Sequence, residues 1–174
     1  MSSNPKTDSI PDAIILSRLL REIEGAHRIA LGPGIPQQAR SILPQGIQAV
    51  PLNGQPADNG SSFDIAVVEA LEVTPEGDLC EPFGTDLQKV TAGRWIVATR
   101  QTQENGQAKI VRQSRLPVSR THCVNEIITE LGLIRVEPLG FVLHEVAPGV
   151  SSDDVRQRVE ASLHVADDLK VMEW

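Results

Sequence analysis

An α/β fold with an open, mostly parallel sheet and flanking helices is what this sequence predicts, on three observations. Short continuous apolar runs at residues 64–73 (DIAVVEALEV) and 95–99 (WIVAT) read as strands buried on both faces. Amphipathic helical stretches are interleaved with them, and residues 28–42 form a strand, glycine turn and helix in succession.

The elements follow in order. Residues 1–10 are polar and read as frayed. Ser9 and Pro11 start a helix whose apolar stripe is Ile14, Ile15, Leu19, Leu20 and Ile23, and Gly25 stops it. Residues 28–31 make a strand, Gly32-Pro33-Gly34 a sharp turn, and 36–42 a second helix that tolerates Pro36 in its first turn. A strand at 47–52 precedes an exposed loop at 53–62, NGQPADNGSS, which is nearly all turn formers. The run 64–73 ends at the turn 74–78, and a loop-helix segment with Gly84 and Leu87 leads to the strand 95–99. Glu104-Asn105-Gly106 then turns the chain toward a strand at 109–112. Cys123, Ile127, Ile128 and Leu131 fall on one helical face, so a helix is expected there. Strands at 133–136 and 140–146 flank a turn as a closing antiparallel pair, and Ser151 caps a last helix with Asp153 and Asp154 in its first turn. The chain reads as one domain over 1–174.

Composition excludes several functions. A net charge of −7 and a pI near 5.1 disfavour nucleic acid and anionic membrane as partners. Aromatic residues are 3% of the chain, too few for a stacking platform. Two cysteines, no apolar leader and no run of about 20 apolar residues point to a cytoplasmic protein with free thiols. The histidines His27, His122, His144 and His164 are scattered, so no metal site is expected. Cys123 follows His122 but lacks an orienting third group, and reads as a buried, inert thiol.

Two features could carry chemistry. The turn from Gly32 to Pro36 offers backbone N–H groups to an anion at the carboxyl end of the sheet, or is a purely structural turn; it is not a dinucleotide fingerprint. Glu69 is the one acid inside an apolar strand. It must be paired, raised in pKa or exposed at the strand's end. Exposure is the plain reading, and a functional carboxylate near the glycine turn the sharper one.

Residues 29–44 (IALGPGIPQQARSILP), 64–79, 92–111 and 116–159 together resemble the B subunits of 3-oxoacid (succinyl-CoA or acetoacetate type) CoA-transferases, in that family's order. The matching patterns include a Gly-x-Gly-Ile-Pro turn, a Gly-x-x-Lys-Ile hairpin end and Glu-x-Ala-Pro-Gly-Val near the C-terminus. The resemblance implies the family's open α/β sheet, an A-type partner subunit in a hetero- or homo-oligomer, and acyl-CoA and small carboxylic acids as ligands. Coenzyme A is then a substrate, with no separate cofactor. It further implies that Gly32, Gly34, Ile35 and Gly84 line the CoA and substrate side. In that family a B-subunit glutamate attacks the thioester, but its Ser-Glu-Asn-Gly segment should fall near Asn53 and Gly54, where this chain has no glutamate and about ten polar residues in place of a long stretch. The family's glycine after the core strand is Glu69 here, its Glu-His pair is Arg100 and Gln101, and its glycine-rich CoA loop is reduced to residues 83–87. The expectation is a B-subunit-like protein of acyl-CoA chemistry with the usual nucleophile absent and Glu69 as the remaining candidate. A non-catalytic interaction subunit, or an acyl-CoA hydrolase or decarboxylase on the same scaffold, stand as alternatives.

Overall fold

The computed structural model describes residues 10–52 and 62–174. Residues 1–9 of the expected frayed start and nearly all of the expected loop at 53–62, with Asn53 and Gly54, lie outside the described residues, and Ile10 already opens a helix. Ser62 already belongs to a strand.

Helix α1 (Ile10–Glu22) is followed by strand β1 (Arg28–Leu31), a short helix α2 (Ile35–Gln38) that tightens into a 3-10 turn over Ala39–Ser41, and strand β2 (Gln48–Pro51). Strand β3 (Ser62–Val68) comes next, then a small antiparallel pair, β4 (Glu72–Val73) with β5 (Leu79–Cys80). After a 3-10 turn at Leu87–Lys89 the chain continues through β6 (Thr91–Ala98), β7 (Glu126–Ile128), β8 (Gly132–Glu137), β9 (Gly140–Val146), α3 (Ser152–Arg156) and β10 (Leu163–Val171).

Among the described residues, eight strands form one sheet in the order β10-β9-β8-β7-β6-β3-β1-β2. The pairs β2/β1, β1/β3, β3/β6, β6/β7 and β9/β10 are parallel, while β7/β8 and β8/β9 are antiparallel. Seven of these strands therefore run one way and β8 runs back. The predicted fold class holds, including the antiparallel closing pair.

Strict alternation divides the side chains of the central strands between two cores. Ile65, Val67, Ile96, Ala98 and Ile128 face α1 and α2, packing with Ile15, Leu19 and Ile23. Ala66, Val68, Trp95, Val97 and Ile127 face the other layer, with Phe141, Leu143 and Val155. Both faces are covered, which is why these strands read as continuous apolar runs. Asp64 accepts hydrogen bonds from the backbone of His27 (2.7 Å) and Arg28 (3.0 Å), which holds its carboxyl below the ordinary range and fastens the start of β1 to β3. Ser151 and Asp154 form a reciprocal capping box on α3, as the capping run suggested.

Three readings need correction, and a further strand was not foreseen. The expected helix through Cys123, Ile127, Ile128 and Leu131 is β7 and a tight hairpin into β8: Ile127 and Ile128 enter opposite cores, so two-sided burial mimicked a helical stripe. The Thr129 hydroxyl accepts from the N–H groups of Leu131 (3.1 Å) and Gly132 (3.3 Å), closing that hairpin. The strand expected at 109–112 is only bridged, Ile110 to Val73 and Val111 to Glu160. The run 64–73 breaks after Val68, and its end pairs with β5 instead of extending the sheet. Strand β10 carries the polar run Asp167-Asp168 at an edge, with a register shift between Val165 and Lys170, so it lacked a strand's pattern.

Candidate functional site

The carboxyl ends of β1, β3, β6 and β7 converge on one rim of the sheet, where α/β folds place ligands. From β1 comes the turn Gly32–Ile35, from β3 Glu69, from β6 Thr99, Arg100 and Gln101, and from β7 Thr129 and Glu130.

Glu69 is neither exposed nor unpartnered. Half-buried just past the end of β3, it accepts the Ile35 N–H on Oε2 (3.3 Å) and the Thr99 hydroxyl on Oε1 (3.2 Å). Of the turn's other N–H groups, that of Gly32 is engaged by the Val67 carbonyl (2.8 Å), and Pro33 and Pro36 have none. Gly34 has φ 87°, and a Cβ there would lie 2.0 Å from Glu69 Oε2 and 3.2 Å from the ring of Phe83. The glycine is needed twice, for the left-handed backbone and for the carboxylate packed on it.

Thr99 Oγ1 also accepts from Lys109 Nζ (2.7 Å), and Lys109 is buried. Burial pushes the Lys109 ammonium below its ordinary pKa, while Glu69 and Glu130 pull it up. Glu130 Oε2 accepts the Gln101 N–H (2.8 Å), and the Gln101 side chain takes the Thr129 hydroxyl on Oε1 (2.8 Å). Its buried Nε2 has no acceptor among the described residues. Arg100 turns outward to Asp12 of α1 (2.9 Å).

The loop carrying Gly84 reaches the same turn. Glu81, buried, accepts the N–H groups of Phe83 (2.9 Å) and Thr85 (2.8 Å), and this sets the half-exposed Phe83 beside Gly34. Gly84 itself, at φ 68°, has open space around it. Gly32, Gly34, Ile35, Glu69 and the Gly84 loop are thus brought together. Sequence reasoning missed Thr99 and Lys109. The signal used for Glu69, a charge within an apolar run, also marks Lys109 between Ala108 and Ile110-Val111.

The residues set aside stay apart from this rim. Burial pushes the Cys123 thiol up to about 12, leaving it unreactive. His144 pairs with Glu137 (2.6 Å) on the β8/β9 hairpin, and His122 packs on the 74–78 turn. Among the described residues no three His, Cys, Asp or Glu side chains gather as a metal site, and no helix is long and apolar enough to cross a membrane. At the opposite rim Glu126, buried, meets Glu22 and Arg94 with Arg135 nearby (3.6 Å), bordering a cleft of about 500 Å³. Burial and the neighbouring Glu22 push the Glu126 carboxyl up to about 7.

The Gly34 geometry makes a first prediction. In Gly34→Ala the carboxylate can swing away because it ends a flexible side chain, so the fold should lose only about 1–2 kcal/mol, most of it from the positive φ. Thermal unfolding measures this; a loss beyond about 4 kcal/mol would mean that Glu69 cannot move.

No family model matches the chain. The acetate CoA-transferase subunit beta of Escherichia coli K12 is 27% identical to it, over 89% of this chain and 94% of that protein. That alignment runs over 203 positions, more than the 174 residues present, so it crosses stretches with no counterpart here. Among solved structures, the acyl-CoA transferase YdiF of E. coli O157:H7 superposes with a TM-score of 0.74 at 14% identity, over 99% of this chain, which spans 44% of that one. The decarboxylase AibA/AibB gives a TM-score of 0.68 at 17% identity, over 95% of this chain and 90% of that one. The architecture is the α/β sheet of the CoA-transferases. The chain is a relative of CoA-transferase beta subunits.

Proposed function

We propose that this chain is the B-type subunit of an acyl-CoA-processing assembly, joined to an A-type subunit, in which Glu69 acts in place of the missing nucleophilic glutamate. The single observation behind this reading is the Glu69 carboxylate seated on the Ile35 N–H and the Thr99 hydroxyl at the carboxyl rim of the sheet. A carboxylate that already accepts a hydrogen bond on each oxygen is a weakened nucleophile but a well-placed proton acceptor. Proton transfer to Glu69 from water attacking a thioester, with CoA leaving as its thiolate and the acyl group ending as a carboxylic acid, therefore fits better than an acyl-glutamyl anhydride. Gly32, Gly34, Ile35 and Gly84 border the acyl-CoA side of this site, and coenzyme A is part of the substrate. On this reading the chemistry is nearer to thioester hydrolysis than to CoA transfer.

The test co-expresses the chain with an A-type subunit and follows acetyl-CoA and succinyl-CoA by product chromatography and intact-protein mass. Release of free CoA and the carboxylic acid without a CoA adduct on the chain is expected, with Glu69→Gln slowing turnover about a hundredfold. An adduct on Glu69, or unchanged turnover in Glu69→Gln, defeats the reading. One observation favours a non-catalytic subunit instead: Glu69 occupies the Ile35 N–H, one of the donors the turn could offer to an oxyanion of the substrate. In that case the complex forms and no acyl-CoA is consumed.

A further inference from the structure

Lys109, Thr99 and Glu69 come from three separate segments and form one directed chain of hydrogen bonds. An ammonium has only protons to give, so Lys109 Nζ must donate to Thr99 Oγ1 (2.7 Å). The hydroxyl, with that lone pair engaged, has one proton to place, and Glu69 Oε1 is 3.2 Å away; the Ala70 carbonyl, its other neighbour, is at 3.5 Å. The far oxygen of Glu69 is fixed by the Ile35 N–H. Every link in the chain points its proton at the carboxylate. Lys109 is itself held by its backbone, since its carbonyl accepts the Val73 N–H (2.8 Å). A lysine buried on the inner side of the site, aimed through a hydroxyl at a half-buried acid, does not resemble a solvated surface charge.

We infer that Lys109 is a positioning residue for Glu69: acting through Thr99, it fixes the direction of that hydrogen bond and keeps the Glu69 carboxyl a proton acceptor. This rests on Glu69 being the working acid, as proposed above. The charged groups facing Lys109 are Glu69 beyond β3, Glu130 beyond β7 and Arg100 beyond β6. Of these, Glu69 is the one joined to it through a shared hydroxyl. A proton accepted by Glu69 leaves Thr99 with a poorer acceptor, so the coupling is reciprocal: what Glu69 gains or loses, Lys109 registers.

Reciprocity supplies a test that needs no turnover. The ammonium of Lys109 is titrated by NMR in the full chain carrying labelled lysine, with its signal assigned by difference from Lys109→Arg. Thr99→Val and Glu69→Gln should each lower the Lys109 midpoint by about one unit, a tenfold change in its ionisation constant. Thr99→Ser, which keeps the hydroxyl, should restore it. Equal midpoints in wild type, Thr99→Val and Glu69→Gln, each first shown to fold by its near-UV circular dichroism, overturn the inference, because both variants conserve size. In the complex with the A-type subunit, Thr99→Val should also shift the acid limb of the pH–rate profile about one unit, with Thr99→Ser returning it. A lowered rate with an unmoved profile in Thr99→Val assigns Thr99 to packing and overturns the inference. If Glu69→Gln leaves turnover intact while the Lys109 midpoint moves, the proposed function falls and the hydrogen-bonded coupling stands.

Discussion

Between pH 5 and pH 8 the Glu126→Gln variant should keep about 2 kcal/mol of stability that the wild-type chain loses. Burial, and next the adjacent Glu22, hold the Glu126 proton on until about pH 7, well above the ordinary carboxylate value. In the unfolded chain the same group ionises near 4.5. Below that value both states are protonated and the burial of this group carries no ionisation penalty. As pH rises, the unfolded state ionises first, so stability falls until the folded state ionises too near 7. Arg94 and Arg135 soften the cost without removing it. Glu22, whose carboxyl is lowered, works the opposite way and loses its contribution as pH falls, so the comparison is made as a difference between the two proteins. Urea midpoints of both at pH 5, 6, 7 and 8 decide it, and parallel curves refute it.

Gly132→Ala should cost about 3 kcal/mol, although this glycine has no positive φ. A Cβ at 132 meets the Glu145 carbonyl oxygen at 2.4 Å and Leu143 Cδ1 at 3.2 Å. The carbonyl belongs to the backbone of β9, paired with β8 through Gly132 and Val146, so relief requires parting two strands. Gly106→Ala is the control. Its φ of 85° is strained, but nothing lies within 4 Å, and about 1 kcal/mol is expected. Equal losses in the two variants would mean that backbone strain alone governs both positions.

Much of this fold was legible in the sequence, because the inner parts of β1, β3 and β6 are buried on both faces and β1 turns at glycine and proline. The same two-sided burial hid β7. Ile127-Ile128 with Leu131 satisfies a helical stripe equally well, and only the partners Ala98 and Leu133, set by the folded sheet, choose between them. β10 escaped for the opposite reason, since its middle is as polar as a loop and its strand character comes from pairing with β9. Of the candidate site, the glycine turn and Glu69 stood out as local anomalies. Thr99 did not, and Lys109 carried the same local mark as Glu69 but not its meaning, which lies in a hydrogen bond across ten residues that no periodicity encodes.

Strand β6 carries Arg94 of the Glu126 cluster at its middle, and Thr99 of the candidate site follows its end, five residues on. At about 3.3 Å per residue the backbone at Arg94 lies roughly 16 Å from that at Thr99, and Glu126, in register with Ile96, lies about 10 Å along the sheet from it. Unit charges at those separations interact by only about 1–2 kcal/mol at an effective dielectric near 20. The molecule thus keeps two proton ledgers with little exchange between them. Its tolerance of alkaline conditions can be raised at Glu126 while the acid–base setting at Glu69 stays nearly as it was, so an engineer can adjust durability and chemistry on separate dials.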